Sequence, residues 1–492
     1  MARPRRCARA GRIGRRGSGA ALRPRRCHAP PCPEPVPVQA APRPPPPAGR
    51  FRATSIASPP CYDARRWPRA AAARSARRSR FARPGPHDEE PLLLGIHHTL
   101  SRRTEPFRPI EDLRVRMYVC GITPYDAGHL GHALTYVVFD VVRRYLEFQS
   151  FEVEHIQNIT DVDDDMVRVS GERGLSIAEL TEETHTQFLR DMDALNVLRP
   201  DAYPRVSGSI PEIIALISLL LERGHAYEVE GHVFFEAESA PAFGALAGMT
   251  ADELRNAPRT DTMPQEPEHL KRDTLDFLLW QPSDYPGAAF DAPWGRGRPG
   301  WHIECSAMAR ANLGDRIDIH GGGSDLIYPH HESEIVQSQY ATGAEPFVGY
   351  WMHIGTLTLD GVKMSKSLGN LVKVGELLEA GHEPDAIRLA LLGTHYREEH
   401  PWTDAVLERA GEQAALLHRA AASPGGPPDQ LRVQPLRNEF MDAMDDDFDT
   451  PRAINTLLAI ARDLESGALH GATAIPALVE LAGVLGLTLG RE

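Results

Sequence analysis

The sequence predicts an α/β protein: a Rossmann-like domain with an inserted subdomain, followed by a mainly helical region. Three observations predict it. Residues 116–120, Arg-Met-Tyr-Val-Cys, read as a short buried strand that ends at Gly121 in a turn. After a loop, residues 133–147 carry apolar side chains at helical spacing, and residues 153–159 read as a second strand. Strand, loop, helix and strand open a nucleotide-binding α/β unit, with the loop at the carboxyl end of the first strand. Beyond Asn370 the pattern is helical almost throughout, with Ser423-Pro424-Gly425-Gly426-Pro427-Pro428 as a linker.

The elements follow in order. Residues 1–87 hold 21 arginines, 17 prolines and no lysine, with only Glu34 and Asp63 as acids. They lack any helical or strand period and are expected to be a disordered extension, with order beginning near Pro91. Their arginine content matches a transit peptide, whereas their length and proline content favour an unstructured tail or an over-extended gene start. Residues 175–225 read as helical. Residues from about 226 to 300 mix Gly, Pro and Asp and form the expected insertion within a catalytic domain spanning 92–370. Regular signals return at Trp301-His302-Ile303-Glu304-Cys305 and Ile317-Asp318-Ile319-His320-Gly321-Gly322-Gly323, and residues 371–492 form the helical domain.

Charge narrows the functions. The chain carries a formal net charge of −13, but residues 88–492 hold 33 basic and 65 acidic residues. A body that acidic is no general nucleic-acid binder, and any RNA contact needs a local basic patch. No apolar run approaches the ~18 residues of a membrane span. Outside the tail there are two cysteines, Cys120 and Cys305, which fits a reducing, cytoplasmic setting without a disulfide framework.

The most pointed signal is lysine. The chain has four lysines against 50 arginines, and two of the four lie in Lys363-Met364-Ser365-Lys366-Ser367. An ammonium is a compact, mobile charge suited to following a phosphate whose geometry changes; a guanidinium is a rigid fork. Upstream lies Gly128-His129-Leu130-Gly131-His132, two histidines three apart at a helix start, where backbone amides and the dipole make an anion site. Alone, that match fits helix-capping or metal-binding histidines equally well.

Together the two motifs resemble the ATP signatures of class I aminoacyl-tRNA synthetases, and the flanking residues are similar to those of the cysteinyl-tRNA synthetases across 92–492. The resemblance implies a Rossmann-like class I catalytic domain that joins L-cysteine to ATP. His129, His132, Lys363, Ser365 and Lys366 would hold the nucleotide and its pyrophosphate, with Mg2+. The glycines of His320-Gly321-Gly322-Gly323-Ser324-Asp325-Leu326, Gly322 among them, would let backbone approach adenosine, and Asp325 would accept from ribose or adenine. Thr123, Thr160, Trp301 and His320 would form the cysteine pocket. It further implies one Zn2+ held by Cys120, Cys305, His330 and Glu334. His330 and Glu334 lie four apart and share a helix face. Zinc prefers a thiolate to a hydroxyl, which would separate cysteine from serine without editing.

Two departures bear on the acceptor. The segment Cys120-Gly121-Ile122-Thr123-Pro124-Tyr125-Asp126 and the chain's end at Glu492, with an anticodon-recognition segment expected to be absent, resemble the mycothiol-pathway ligases. Those pass cysteine to the amine of glucosaminyl-inositol. The carboxylate at Glu334 and the string Lys363-Met364-Ser365-Lys366-Ser367-Leu368-Gly369-Asn370 favour tRNA(Cys) as the partner, on a chain expected to act as a monomer away from membranes. With both ATP motifs and all four ligands intact, an inactive binding protein is the less favoured reading.

Overall fold

The computed structural model of the protein describes residues 94–126, 128–257, 266–359, 361–364, 369–424 and 430–489. The predicted tail 1–87, the predicted start of order at Pro91, Ser365, Lys366 and most of the predicted 423–428 linker lie outside the described residues.

A short hairpin, β1 (Gly95–His98) and β2 (Arg103–Pro106), precedes β3 (Arg114–Ile122), α1 (Leu130–Phe148) and β4 (Glu152–Ile159). α2 (Asp164–Arg173), α3 (Ile177–Ala194) and α4 (Ile210–Glu222) follow, so the stretch expected to be helical is interrupted between Ala194 and Ile210. β5 (Ala226–Val229), β6 (His232–Phe235), the short α5 (Ala251–Arg255), β7 (Phe277–Pro282) and β8 (Gly297–Pro299) come next, and the four strands pair antiparallel as one sheet. The chain then returns through α6 (Trp301–Leu313), β9 (Ile317–Gly323), α7 (Glu332–Thr342) and β10 (Val348–Ile354).

The central sheet runs β10-β9-β3-β4, with every pair parallel. Chain order reverses at β3, which has β4 on one side and β9 on the other. This is a topological switch point, and ligands in open parallel sheets bind outside the carboxyl ends of the strands there. α1 covers one face with Val137, Val138, Phe139, Val141 and Val142 buried. Each such side chain contributes about 1.5–3 kcal/mol on burial. α6 and α4 pack with the other core, around Ile303, Met308, Ile213 and Leu216.

Two glycines are fixed by crowding. A Cβ on Gly121 would lie 1.6 Å from the Asn158 carbonyl oxygen, and one on Gly321 would lie 1.9 Å from Cζ of Phe139. The latter qualifies the sequence reading of the glycine run. Gly321 and Gly322 lie in β9, paired with Met352 and His353 of β10, and the missing side chain at 321 makes room for α1.

Beyond a small sheet of β11 (Leu357–Leu359), β12 (Val362–Lys363) and β13 (His400–Trp402), the chain is helical. Two short helices, α8 (Val374–Glu379) and α9 (Pro384–Leu392), lead into α10 (Asp404–Ala421), α11 (Gln430–Asp445), α12 (Thr450–Glu465) and α13 (Gly471–Val484). A buried ionic knot joins these helices to the sheet domain. Asp140 of α1 takes hydrogen bonds from Arg144, at 2.8 Å, and from the fully buried Arg388 of α9. Arg388 also donates to the Leu485 and Leu195 carbonyls, at 2.8 Å each.

Candidate active site

The carboxyl ends of β3 and β9, the start of α6 and the turn into α7 converge on one buried cluster. Cys120 ends the core run of β3, and Cys305 lies in the second turn of α6. Their sulfurs are 3.8 Å apart. Cys120 Sγ lies 3.7 Å from Glu334 Oε1, and His330 Nε2 lies 3.3 Å from the same oxygen. All four residues are buried, and their donor atoms lie within 4.8 Å of one another. Zinc bonds of about 2.0–2.3 Å place tetrahedral donors about 3.3–3.8 Å apart, so this set fits a zinc ion.

Burial sets the protonation of these groups. It pushes the Cys120 thiol and the Glu334 carboxyl well above their usual ranges and holds the His330 and His331 imidazoles well below theirs. Burial thus favours the neutral forms of Cys120, Glu334 and both imidazoles, and a cation that binds them as anions and free bases expels protons.

Sequence reasoning missed the histidines around these donors. His302 Nδ1 faces His330 Nδ1 at 3.0 Å, and burial lowers the pKa of His302 to about 3. His331 Nδ1 faces His353 Nε2 at 2.7 Å, and His353 Nδ1 faces Thr99 Oγ1 at 2.8 Å. The doublet His330-His331 was a signal for one of them; nothing local marks His353 on β10. Tyr118, two residues before Cys120 on β3, was also missed. Its hydroxyl is fully buried, and burial first, then the neighbouring Cys305, Cys120 and Glu334, push its pKa well above the usual range.

The pocket residues expected beside the cluster are placed as follows. Trp301 stacks on His330 with ring centroids 4.2 Å apart. His320 Nε2 lies 3.0 Å from Glu334 Oε2. Thr160 is buried, accepts from Asn158 Nδ2 at 3.0 Å and donates its amide to the Ile122 carbonyl. Asn158 Oδ1 takes the Gly121 amide at 2.7 Å, so one asparagine ties the end of β3 to the end of β4. Thr123 follows directly, half-buried.

The nucleotide motifs lie nearer solvent. His129 caps α1, its Nδ1 accepting the Gly131 amide at 3.1 Å, and its ring stacks on His132 at 3.9 Å. The capping alternative weighed for these histidines is therefore realised in the structure. Leu130 donates to the Val372 carbonyl at 2.9 Å, and His129 bridges Lys373, which brings the segment after the lysine motif against the histidine motif. Lys363 Nζ lies 3.2 Å from Asp325 Oδ2, so two residues assigned to the nucleotide pair across the glycine run. Gly322 is the last residue but one of β9.

The family described as tRNA synthetases class I (C) catalytic domain matches residues 106–412, and the DALR domain family matches residues 439–490. A cysteine–tRNA ligase of Methylococcus capsulatus is 46% identical over 411 residues, covering 80% of this chain and 85% of that protein. One from Dehalococcoides mccartyi is 42% identical over 402 residues, covering 80% and 86%. Among solved structures, the Mycobacterium tuberculosis methionyl-tRNA synthetase in complex with methionyl-adenylate superposes with a TM-score of 0.55 at 16% identity, over 76% of this chain and 89% of that one.

Proposed function

This chain belongs to the class I cysteine–tRNA ligases, and from that premise we propose how its own residues divide the work. The reaction activates L-cysteine with ATP and transfers the cysteinyl group to tRNA. The tRNA acceptor stands over the aminosugar because the relatives above are named cysteine–tRNA ligases.

Cys120, Cys305, His330 and Glu334 would hold one zinc ion, which supplies a Lewis-acidic site selective for the substrate's sulfur. The buried four-donor cluster at the switch point carries this reading. Trp301 and His320 wall the cluster, and Thr123 and Thr160 lie at the ends of β3 and β4, where they orient the amino acid. The carboxylate then attacks the α-phosphorus in line as the bond to pyrophosphate breaks. His129 and His132 bind phosphate oxygens at the amino end of α1, where the dipole favours an anion. Lys363 and Lys366 follow the leaving pyrophosphate, with Ser365 between them and a magnesium ion on the nucleotide. Gly322 and Asp325 bound the adenosine side. Little of this is covalent work; positioning and charge stabilisation do most of it.

The protein acts as a monomer in the cytoplasm, with residues 92–370 as catalytic domain, 226–300 as insertion and 371–492 as helical domain. Among the described residues no helix is long and apolar enough to cross a membrane. The test is acceptor transfer with the purified full chain, zinc, ATP and radiolabelled cysteine, offered tRNA in one tube and glucosaminyl-inositol in another. Label on tRNA is expected; label on the aminosugar alone would overturn the acceptor assignment.

A further inference from the structure

We propose that the cluster contains a second position for a divalent cation, formed by Cys120, His320, His331 and Glu334 and filled by zinc or cobalt in excess. The proposal extends the zinc assignment above and shares two of its residues. The donor atoms of this second set also lie within 4.8 Å of one another, and all four residues are buried. Cys120 Sγ lies 3.3 Å from His331 Nε2, and His331 Nε2 lies 3.9 Å from Glu334 Oε1. Glu334 presents its two oxygens to different neighbours: Oε1 to His330 at 3.3 Å, Oε2 to His320 at 3.0 Å. A carboxylate turned that way can bridge two cations, and the Cys120 sulfur, near both sets, can do the same.

The hydrogen-bond network prepares His331 for this role. The Thr99 hydroxyl donates to the Trp351 carbonyl at 3.0 Å, so its oxygen is an acceptor for the His353 Nδ1 proton at 2.8 Å. His353 Nε2 then carries a lone pair and accepts the His331 Nδ1 proton at 2.7 Å. That assignment leaves His331 Nε2 unprotonated and aimed at the Cys120 sulfur. A ligating histidine whose other nitrogen donates to a fixed acceptor is how metal sites hold their tautomer.

Cobalt titration of the full chain tests this, followed by its ligand-field and sulfur charge-transfer bands and by metal content after gel filtration. His331→Asn removes the ligating nitrogen and keeps a polar group toward His353; His320→Asn removes the other imidazole. The full chain is expected to bind one equivalent more than either variant, with the tight first equivalent retained in both. Comparing parent with variant cancels any cation held elsewhere, including by Cys7, Cys27, Cys32 and Cys61. Cys305→Ser should lose the tight equivalent and keep the second, and Cys305→Ser combined with His331→Asn should lose both. Titrations of parent and both histidine variants that superimpose would overturn the second position while leaving the first intact. Cys305→Ser retaining the tight equivalent would overturn the first assignment instead. A variant that does not keep the tight equivalent has lost the pocket, and the other histidine variant then decides.

Discussion

The two halves of the site are built to different standards. On the cysteine side, the His320, His331 and Glu334 side chains have no solvent exposure, and their donor atoms lie within 4.8 Å of one another before any ligand arrives. On the nucleotide side, the Lys363 and Asp325 side chains are 49% and 41% exposed, and the motifs meet through backbone contacts at Leu130 and Val372. The contrast follows from what each half must do. Selecting a thiol demands a fixed donor set in a dry environment, where an electrostatic preference is strong. Following a phosphate through in-line displacement demands charges that can move. The half proposed to choose is fully buried, and the described residues of the half proposed to drive the reaction stand nearer solvent.

The sharpest way to break that contrast is to remove a donor from the rigid half. Cys305→Ser should lose the tightly held zinc after dialysis and lower kcat/KM for cysteine by about 10^4-fold, the scale on which a site built around one polar contact rejects its absence. Metal analysis and cysteine-dependent ATP–pyrophosphate exchange read it; a zinc-replete, active variant would refute the ligand assignment. Stripping the wild-type chain with a chelator should abolish exchange and restore it on adding zinc.

The nucleotide half should fail differently. Lys366→Ala is expected to lower the exchange rate by about 10^2–10^3-fold, the usual loss on deleting one transition-state charge contact. Zinc content and cysteine binding should not move, which separates this loss from the one above. Beside the buried cluster lies His302, whose Nδ1 faces that of His330 at 3.0 Å without joining the donor set. His302→Asn should weaken zinc affinity by about 10–100-fold, measured by competition with a chromogenic chelator, and leave the affinity for ATP unchanged.

Legibility from sequence follows the same division. The strand–loop–helix opening could be read because β3 and α1 are buried on regular periods, and the parallel sheet followed from it. Cys120, Cys305, His330 and Glu334 came only from a resemblance, since 185 residues separate the two cysteines and no local pattern joins them. His331 was not singled out, and adjacent residues on a regular helix point about 100° apart, so the sequence alone gives no reason for both rings to face one site. Here the chain kinks at Tyr328 before α7, and both rings turn inward. His353 is a single residue on β10, and only tertiary pairing brings it to His331. The glycine run was read as backbone freedom for a nucleotide, yet at Gly321 the demand comes from Phe139 across the sheet. A glycine required by packing and one required by a ligand look alike in sequence.

The smallest effect sharpens the comparison most. Asp325 and Lys363 form an exposed pair at 3.2 Å, and exposed pairs contribute about 0–1 kcal/mol to stability. Asp325→Asn should therefore leave the thermal unfolding midpoint nearly unchanged. If the pair is a resting contact that ATP displaces, the variant loses its acceptor for adenosine but frees the Lys363 ammonium. KM for ATP should rise by roughly 10-fold, the scale of one lost hydrogen bond to a charged group of about 1.5 kcal/mol, while kcat stays within about 3-fold. A kcat that falls as steeply as in Lys366→Ala would mean that Asp325 holds Lys363 in its working position. The nucleotide half would then be as pre-set as the cysteine half, and the division between a rigid selecting side and a mobile reacting side would not stand.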